Sequence, residues 1–132
     1  MINIQKEMCN FFGSACYAYS LAYICTGKTD IKELTKHVLF GWLNDYIDDD
    51  CYVKKPIPYI NHMSETKYKD VVKVNIGSLD DLPDSKMYAV EYVYGAKHHF
   101  VVCQKGKGIV FDPWFPSETA TKGKPITYRL FV

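Results

Sequence analysis

The spacing of apolar residues changes at about Asp70, and this change constrains the fold more than any other feature of the chain. From there on, "DVVKVNI", "KMYAVEYVY", "HHFVVCQ", "GIVFDP" and "ITYRLFV" are rich in Val, Ile, Tyr and Phe, the composition of strands on a pleated, half-buried surface. "GSLDDLPDS", "GAK", "KGK" and a loop rich in Pro, Gly and Thr separate them. Upstream the period is helical. Ala18, Leu21, Ala22 and Cys25 share one face of a helix expected over residues 15–24, with Ser14 as its cap and Gly27 as its stop. Asp30 and Glu33 have the spacing of a D-x-x-E capping box. Ile31, Leu34, Val38, Leu39 and Trp42 then form the apolar stripe of a second helix that should end near Tyr46. "KKPIPYI" and the polar residues after it read as a loop with one helical turn. Helices followed by a run of short strands imply an α+β fold, with helices packed on an antiparallel sheet. The expected division is one domain over residues 1–132, helical over about 1–65 and sheet over about 66–132.

The chain has 132 residues, 48% hydrophobic and 23% charged, a globular balance that can form a core. Its formal net charge is +1. The densest basic runs, "VKK" at 53–55 and "KYK" at 67–69, are short, so no nucleic-acid partner is expected. "DDD" at 48–50 reads as a solvated segment. The five cysteines, at 9, 16, 25, 51 and 103, are odd in number and lack C-x-x-C or zinc-type spacing. That argues against a disulfide framework and against a structural metal, and it suits a reducing compartment. "FFGSACYAYSLAYIC" at 11–25 has the look of a signal peptide's apolar part. However, Asn10, Ser14 and Ser20 flank or interrupt it, and Glu7 offsets Lys6 upstream. It is too short and too polar to span a membrane. The expected location is cytoplasmic.

The stretch "KHHFVVCQKGKGIVFDPWF" at 97–115 reads as an apolar hairpin with imidazoles and a carboxylate at its open end. With Lys105-Gly106 as a two-residue turn, Gln104 faces Lys107, Phe100 faces Phe111, and His99 lies opposite Asp112. Directly opposed side chains have Cβ atoms roughly 4.5–5.5 Å apart, within hydrogen-bonding reach for this pair. A three-residue loop would make the pair diagonal. The mirror assignment uses His98, on the face of Phe100 and Val102. Each residue also has a plainer reading: a histidine at a strand end is often solvated, and Asp-Pro often starts a turn.

Cys16 adds a third group. It falls in the first turn of the first helix, where unpaired N–H groups and the helix dipole favour thiolate over thiol. Cys9 precedes the helix, Cys25 is near its end, Cys51 is in a loop and Cys103 is within a strand. A small buried residue is the plainer reading of Cys16. A cysteine opening a helix, a histidine-led strand and a carboxylate on the next strand form a nucleophile–base–orienter set.

"GSAC" at 13–16, "HFVV" at 99–102 and "DPW" at 112–114 resemble papain-like cysteine peptidases, especially the small bacterial C39-like branch, in order and context along most of the chain. The resemblance implies a papain-like fold, N-terminal helices packed on a C-terminal antiparallel sheet, and a catalytic triad of Cys16, His99 and Asp112. It places Asn10 where the family commonly has an oxyanion-binding Gln, six residues before the nucleophile. Asn also carries an NH2 donor but is one methylene shorter. A turn residue is an equal reading of Asn10, with Gln5 as a substitute donor. The implied reaction is hydrolysis of a peptide or isopeptide bond in a peptide or protein substrate, through an acyl-enzyme thioester and with no metal or organic cofactor. Acyl transfer and deamidation use the same groups. A catalytically weak or inactive papain-like domain that binds a peptide or protein is the alternative, favoured by Asn10 and by the short chain. A thiol redox protein fits less well without a resolving cysteine. Trp42 and Trp114 are expected in the core or at its rim, with Trp114 close enough to Asp112 to shield the site from water.

Overall fold

The computed structural model describes residues 14–132. Among these residues, three helices come first: α1 (Cys16–Thr26), α2 (Ile31–Leu43) and α3 (Pro56–Met63). Strands β1 (Val71–Asn75), β2 (Met87–Tyr94), β3 (Lys97–Gln104), β4 (Gly108–Phe111) and β5 (Lys124–Phe131) follow, with α4 (Glu118–Lys122) before the last. The sheet has the order β1-β5-β2-β3-β4, and every pairing in it is antiparallel. The architecture is α+β, as the change of period at Asp70 implies.

The helix ends show where local signals act. Ala15, not Ser14, is the N-cap of α1, and it makes no side-chain cap bond. Cys16 is therefore the first residue of the helix, one position nearer its start than a Ser14 cap would put it. Gly27 closes α1 at φ 67°, a left-handed conformation that glycine adopts without a steric penalty. Asp30 caps α2 by accepting from the Lys32 N–H at 3.2 Å, while Glu33 pairs with Lys36 at 3.1 Å. The helix stops at Leu43, earlier than Tyr46, because Asn44 caps it: its N–H and side-chain amide both donate to the Phe40 carbonyl. Residues 56–63 form two helical turns instead of one. Pro56 at the helix start supplies a fixed φ and lacks only an N–H that would have no intrahelical acceptor.

Helix α1 is the centre of the molecule. Ala18, Tyr19, Leu21 and Ala22 are fully buried between the other helices and the sheet face bearing Ala89, Val102 and Phe111. Tyr19 shares a 2.7 Å hydrogen bond with Thr35 on α2, and the Tyr59 hydroxyl on α3 donates to the Ala18 carbonyl at 3.0 Å. Stacking of Tyr23 on Phe111, with ring centroids 4.4 Å apart, ties the helix to β4. On the opposite sheet face, Tyr88, Val90, Tyr92, Val101, Cys103 and Tyr128 pack beneath Leu82 and Ala120. Strands β2 and β3 are thus covered on both faces, which accounts for their nearly unbroken apolar sequences.

Gly123 has no room for a side chain. An added Cβ would collide with the backbone carbonyl oxygens of Thr119 and Val93. Neither carbonyl can swing away as a side chain could, so Gly123→Ala should destabilise the fold by about 1–3 kcal/mol, the usual cost of overpacking. Thermal and urea unfolding would show a lowered midpoint. An unchanged midpoint would contradict this packing.

Candidate active site

Cys16 reaches the site by its place at the start of α1. The first bond of that helix runs from the Tyr19 N–H to the Ala15 carbonyl at 2.9 Å. The N–H groups of Cys16, Tyr17 and Ala18 therefore have no acceptor within the helix, and they set a positive dipole end around the thiol. The thiol is half-buried and not in a disulfide.

His99 and Asp112 come from the β3–β4 hairpin by a different route than a two-residue turn gives. The observed pairs are Gln104 with Gly108 and Cys103 with Ile109, followed by Val102 with Phe111 across a register shift. The turn thus holds three residues, 105–107, with Gly106 and Gly108 at φ 82° and 79°. A three-residue turn alone would place Asp112 opposite Phe100, on the wrong face, because one residue of slip reverses every side chain. The bulge takes up Val110 as an extra residue and restores the parity. Asp112 then falls on the face of Val101 and His99, diagonal to the imidazole. The His99 Nε2···Asp112 Oδ1 distance is 2.6 Å.

The pair is deeply buried, with His99 4% and Asp112 2% exposed. Around the carboxylate, the Trp114 N–H donates to Oδ1 at 2.9 Å and the Ser117 hydroxyl donates to Oδ2 at 2.7 Å. Ser117 also caps α4 by accepting from the Ala120 N–H at 3.3 Å. The Trp114 ring stacks beside the imidazole at 6.3 Å between centroids and 19° between planes. Trp42, at the core's edge, donates to Asp49 at 3.0 Å.

With Nε2 engaged by Asp112, Nδ1 is left for the hydrogen bond that joins His99 to the Cys16 thiol. Burial pushes the imidazole pKa down. The hydrogen bonds to Asp112 and Cys16, with the negative charges on both, outweigh it and raise the pKa to about 9. Burial likewise pushes the Asp112 carboxyl up, but the bonds from His99, Ser117 and the Trp114 N–H hold it below the ordinary carboxylate value. At neutral pH the site therefore contains an imidazolium between the Asp112 carboxylate and the Cys16 sulfur.

Cys25 and Cys103 lie in different surroundings. Burial raises the Cys25 thiol to about 11 and the Cys103 thiol to about 12, and Cys51 is buried. Cys9, Gln5 and Asn10, the expected oxyanion donor, lie outside the described residues. His98 turns away from His99, as strand alternation requires. Its Nδ1 meets Glu91 Oε2 at 2.8 Å. Ser117 is the group that the sequence reading missed, although Ser-Glu ahead of a short helical run is a helix-start signal. The same oversight hid α4 in what reads as a loop.

Two clefts open at Cys16. One, of about 470 Å³, is lined by Lys97, His99, Trp114, Ser117 and Thr119. The other, of about 380 Å³, runs past Tyr17, Val53, Ala96 and Phe100. Ser14, Tyr52 and His98 border both. Among the described residues, no group of three or more His, Cys, Asp or Glu side chains is arranged to hold a metal ion, and no helix is long and apolar enough to cross a membrane. No family model, curated protein or solved structure matches the chain.

Because the folded His99 pKa lies above the ordinary value near 6.5, the stability gained by its protonated form is fully present below that value. It is lost as pH rises through about 9. Titration of the His99 ring by NMR should therefore show an imidazolium at pH 7 that deprotonates near 9. Asp112→Asn, which removes the charge but little volume, should move that titration to lower pH. A ring already neutral at pH 7 in the parent protein would contradict the pairing.

Proposed function

We propose that the protein is a thiol hydrolase, a cysteine peptidase of the papain-like kind nearest the C39-like branch, acting on a peptide or isopeptide bond. One observation carries the reading: a buried histidine lies between a cysteine at a helix start and a carboxylate fixed by three donors.

In the proposed reaction, Cys16 Sγ, its proton held by His99, attacks the carbonyl carbon. The developing oxyanion is near the N–H groups at the start of α1, which are donors of the right kind for it. The C–N bond breaks, and His99 Nδ1 passes the proton to the leaving amine. This leaves an acyl thioester on Cys16 and a neutral imidazole. His99 then takes a proton from water as the water attacks the thioester. The C–S bond breaks, the acid is released, and the Cys16 thiolate is restored beside protonated His99. Asp112 holds the ring in the tautomer that points Nδ1 at sulfur, and it stabilises the imidazolium. No step needs a metal or an organic cofactor.

Brief iodoacetamide exposure at near-neutral pH, followed by mass-spectrometric mapping, should label Cys16 ahead of the other four cysteines. His99→Ala should slow that labelling. Preferential labelling of Cys51 or Cys9 with Cys16 untouched would contradict an activated Cys16.

On a hydrolysed substrate, His99→Ala should abolish turnover, whereas His98→Ala should keep most of it. Asp112→Asn should lower turnover by about tenfold or more, less than loss of Cys16, since a cysteine depends less on its base than a serine does. Hydrolysis should also decline as pH rises through about 9, because the leaving amine then loses its proton donor. Alkylation should persist there, since a thiolate needs no proton donor. Hydrolysis and alkylation that decline together would contradict His99 as the acid.

A further inference from the structure

Two clefts meet at Cys16, and three other residues border both of them: Ser14, Tyr52 and His98. An extended substrate bound across the thiol has one half in each cleft and its scissile carbonyl where they meet. The oxygen of that carbonyl therefore develops its charge beside these residues. His98 is tied to Glu91 at 2.8 Å, and the Ser14 hydroxyl sits on a short side chain close to the backbone. Tyr52 is different. Its side chain is 60% exposed, and among the described residues it makes no hydrogen bond, ion pair or ring contact.

The backbone that carries Tyr52 is fixed. Asp48 Oδ1 accepts from the N–H groups of Asp50 and Tyr52, each at 3.0 Å, and the Asp48 N–H donates to the Tyr52 carbonyl at 2.9 Å. Ile47 bridges to Val53, and Ile47 and Cys51 are each 1% exposed. Cys51 is held at φ 66°, a left-handed conformation disfavoured for any residue with a side chain. That turn buries Cys51 in the core and leaves Tyr52, the next residue, over the clefts. A fixed backbone thus presents an aromatic hydroxyl beside the thiol, although neither the ring nor the hydroxyl helps to hold the fold. A phenol can donate one hydrogen bond and keep its proton, which is what an oxyanion requires.

We infer that Tyr52 is a further catalytic residue, whose phenolic hydroxyl donates a hydrogen bond to the oxyanion formed on the scissile carbonyl. As Cys16 Sγ bonds to the carbonyl carbon, the C=O π pair moves onto oxygen. Tyr52 and the N–H groups at the start of α1 meet that charge. The pair returns to the carbonyl as the C–N bond breaks, and the phenol proton stays on Tyr52. The assignment rests on the proposed peptidase reading.

The test compares two reagents at Cys16 in the full chain, with rates read by mass-spectrometric mapping. 4-Nitrophenyl acetate acylates the thiol through an oxyanion. Iodoacetamide alkylates it by displacement at a saturated carbon, where no oxyanion forms. An enclosed oxyanion donor is worth about a hundredfold or more, but water competes for a side chain that is 60% exposed. Tyr52→Phe, which removes only the hydroxyl, should therefore lower the acetylation rate by about tenfold and leave the iodoacetamide rate and the melting temperature unchanged. Tyr52→Ala should lower acetylation no further than Tyr52→Phe does. An acetylation rate unchanged in Tyr52→Phe would overturn the assignment, as would a fall in both rates by the same factor, which would place the hydroxyl on the thiol and not on the oxyanion. Slower acetylation in Ser14→Ala but not in Tyr52→Phe would overturn it too. A Cys16 inert to iodoacetamide in the parent protein would overturn the peptidase reading, and the assignment with it.

Discussion

A carboxylate that is 2% exposed is the constraint around which the site is organised. An unpaired charge so buried would cost several kcal/mol, so it must be met by donors on every accessible side. Three of the donors that meet Asp112 are the His99 imidazole, the Trp114 N–H and the Ser117 hydroxyl. Each belongs to a different local structure, respectively the start of β3, the turn after β4, and the cap of α4. The carboxylate thereby joins three elements and sets the ring orientation of His99. Among the described residues, no buried side-chain nitrogen or oxygen lacks a hydrogen-bond partner, so this polar centre is fully satisfied. Such a network is rigid, and rigidity is what an orienting group has to supply.

The thiol is delivered by packing. Helix α1 is held on one side by Tyr19–Thr35 and Tyr59–Ala18 hydrogen bonds and on the other by the Tyr23–Phe111 stack. On α2, a Cβ at Gly41 would approach the Tyr59 ring to 2.9 Å, so the glycine permits the close fit of the helices that support α1. Once α1 is fixed this way, its first residue cannot move far from the sheet edge where His99 begins. A helix buried over residues 18–22, with its first residue bordering two clefts, combines two properties that a nucleophile needs, a fixed position and donor groups near the reacting carbonyl.

Much of this was legible in the sequence, because periodicity reports which faces are buried. The α+β class, α1 and α2, and all five strands follow from the change of period at Asp70. The His99–Asp112 pair was also legible, though by a register that the structure replaces. The two-residue turn and the three-residue turn with a bulge at Val110 differ locally but share the same parity, so both keep His99 and Asp112 on one face. Parity is what the alternation of apolar residues encodes, whereas the bulge depends on how β4 leaves the sheet. The sequence pattern also places Asp112 at a strand end, but the structure buries it, because Trp114 and α4 fold back over that end. Ser14 loses the cap to Ala15, since a Ser-Ala-Cys run does not say which residue first adopts helical dihedrals. The length of α3 and the existence of α4 were hidden by Pro- and Thr-rich stretches whose propensities are weak and whose form is decided by contacts with the sheet.

The account stands on Cys16 forming a covalent acyl intermediate with the help of His99. Acid quenching of the protein seconds after mixing with an activated acetyl ester, followed by peptide mapping, tests this most directly. The account predicts an acetyl thioester on the peptide containing Cys16, formed far more slowly in His99→Ala. Acetyl groups distributed over Cys25, Cys51 and surface lysines, at the same rate in both proteins, would contradict it.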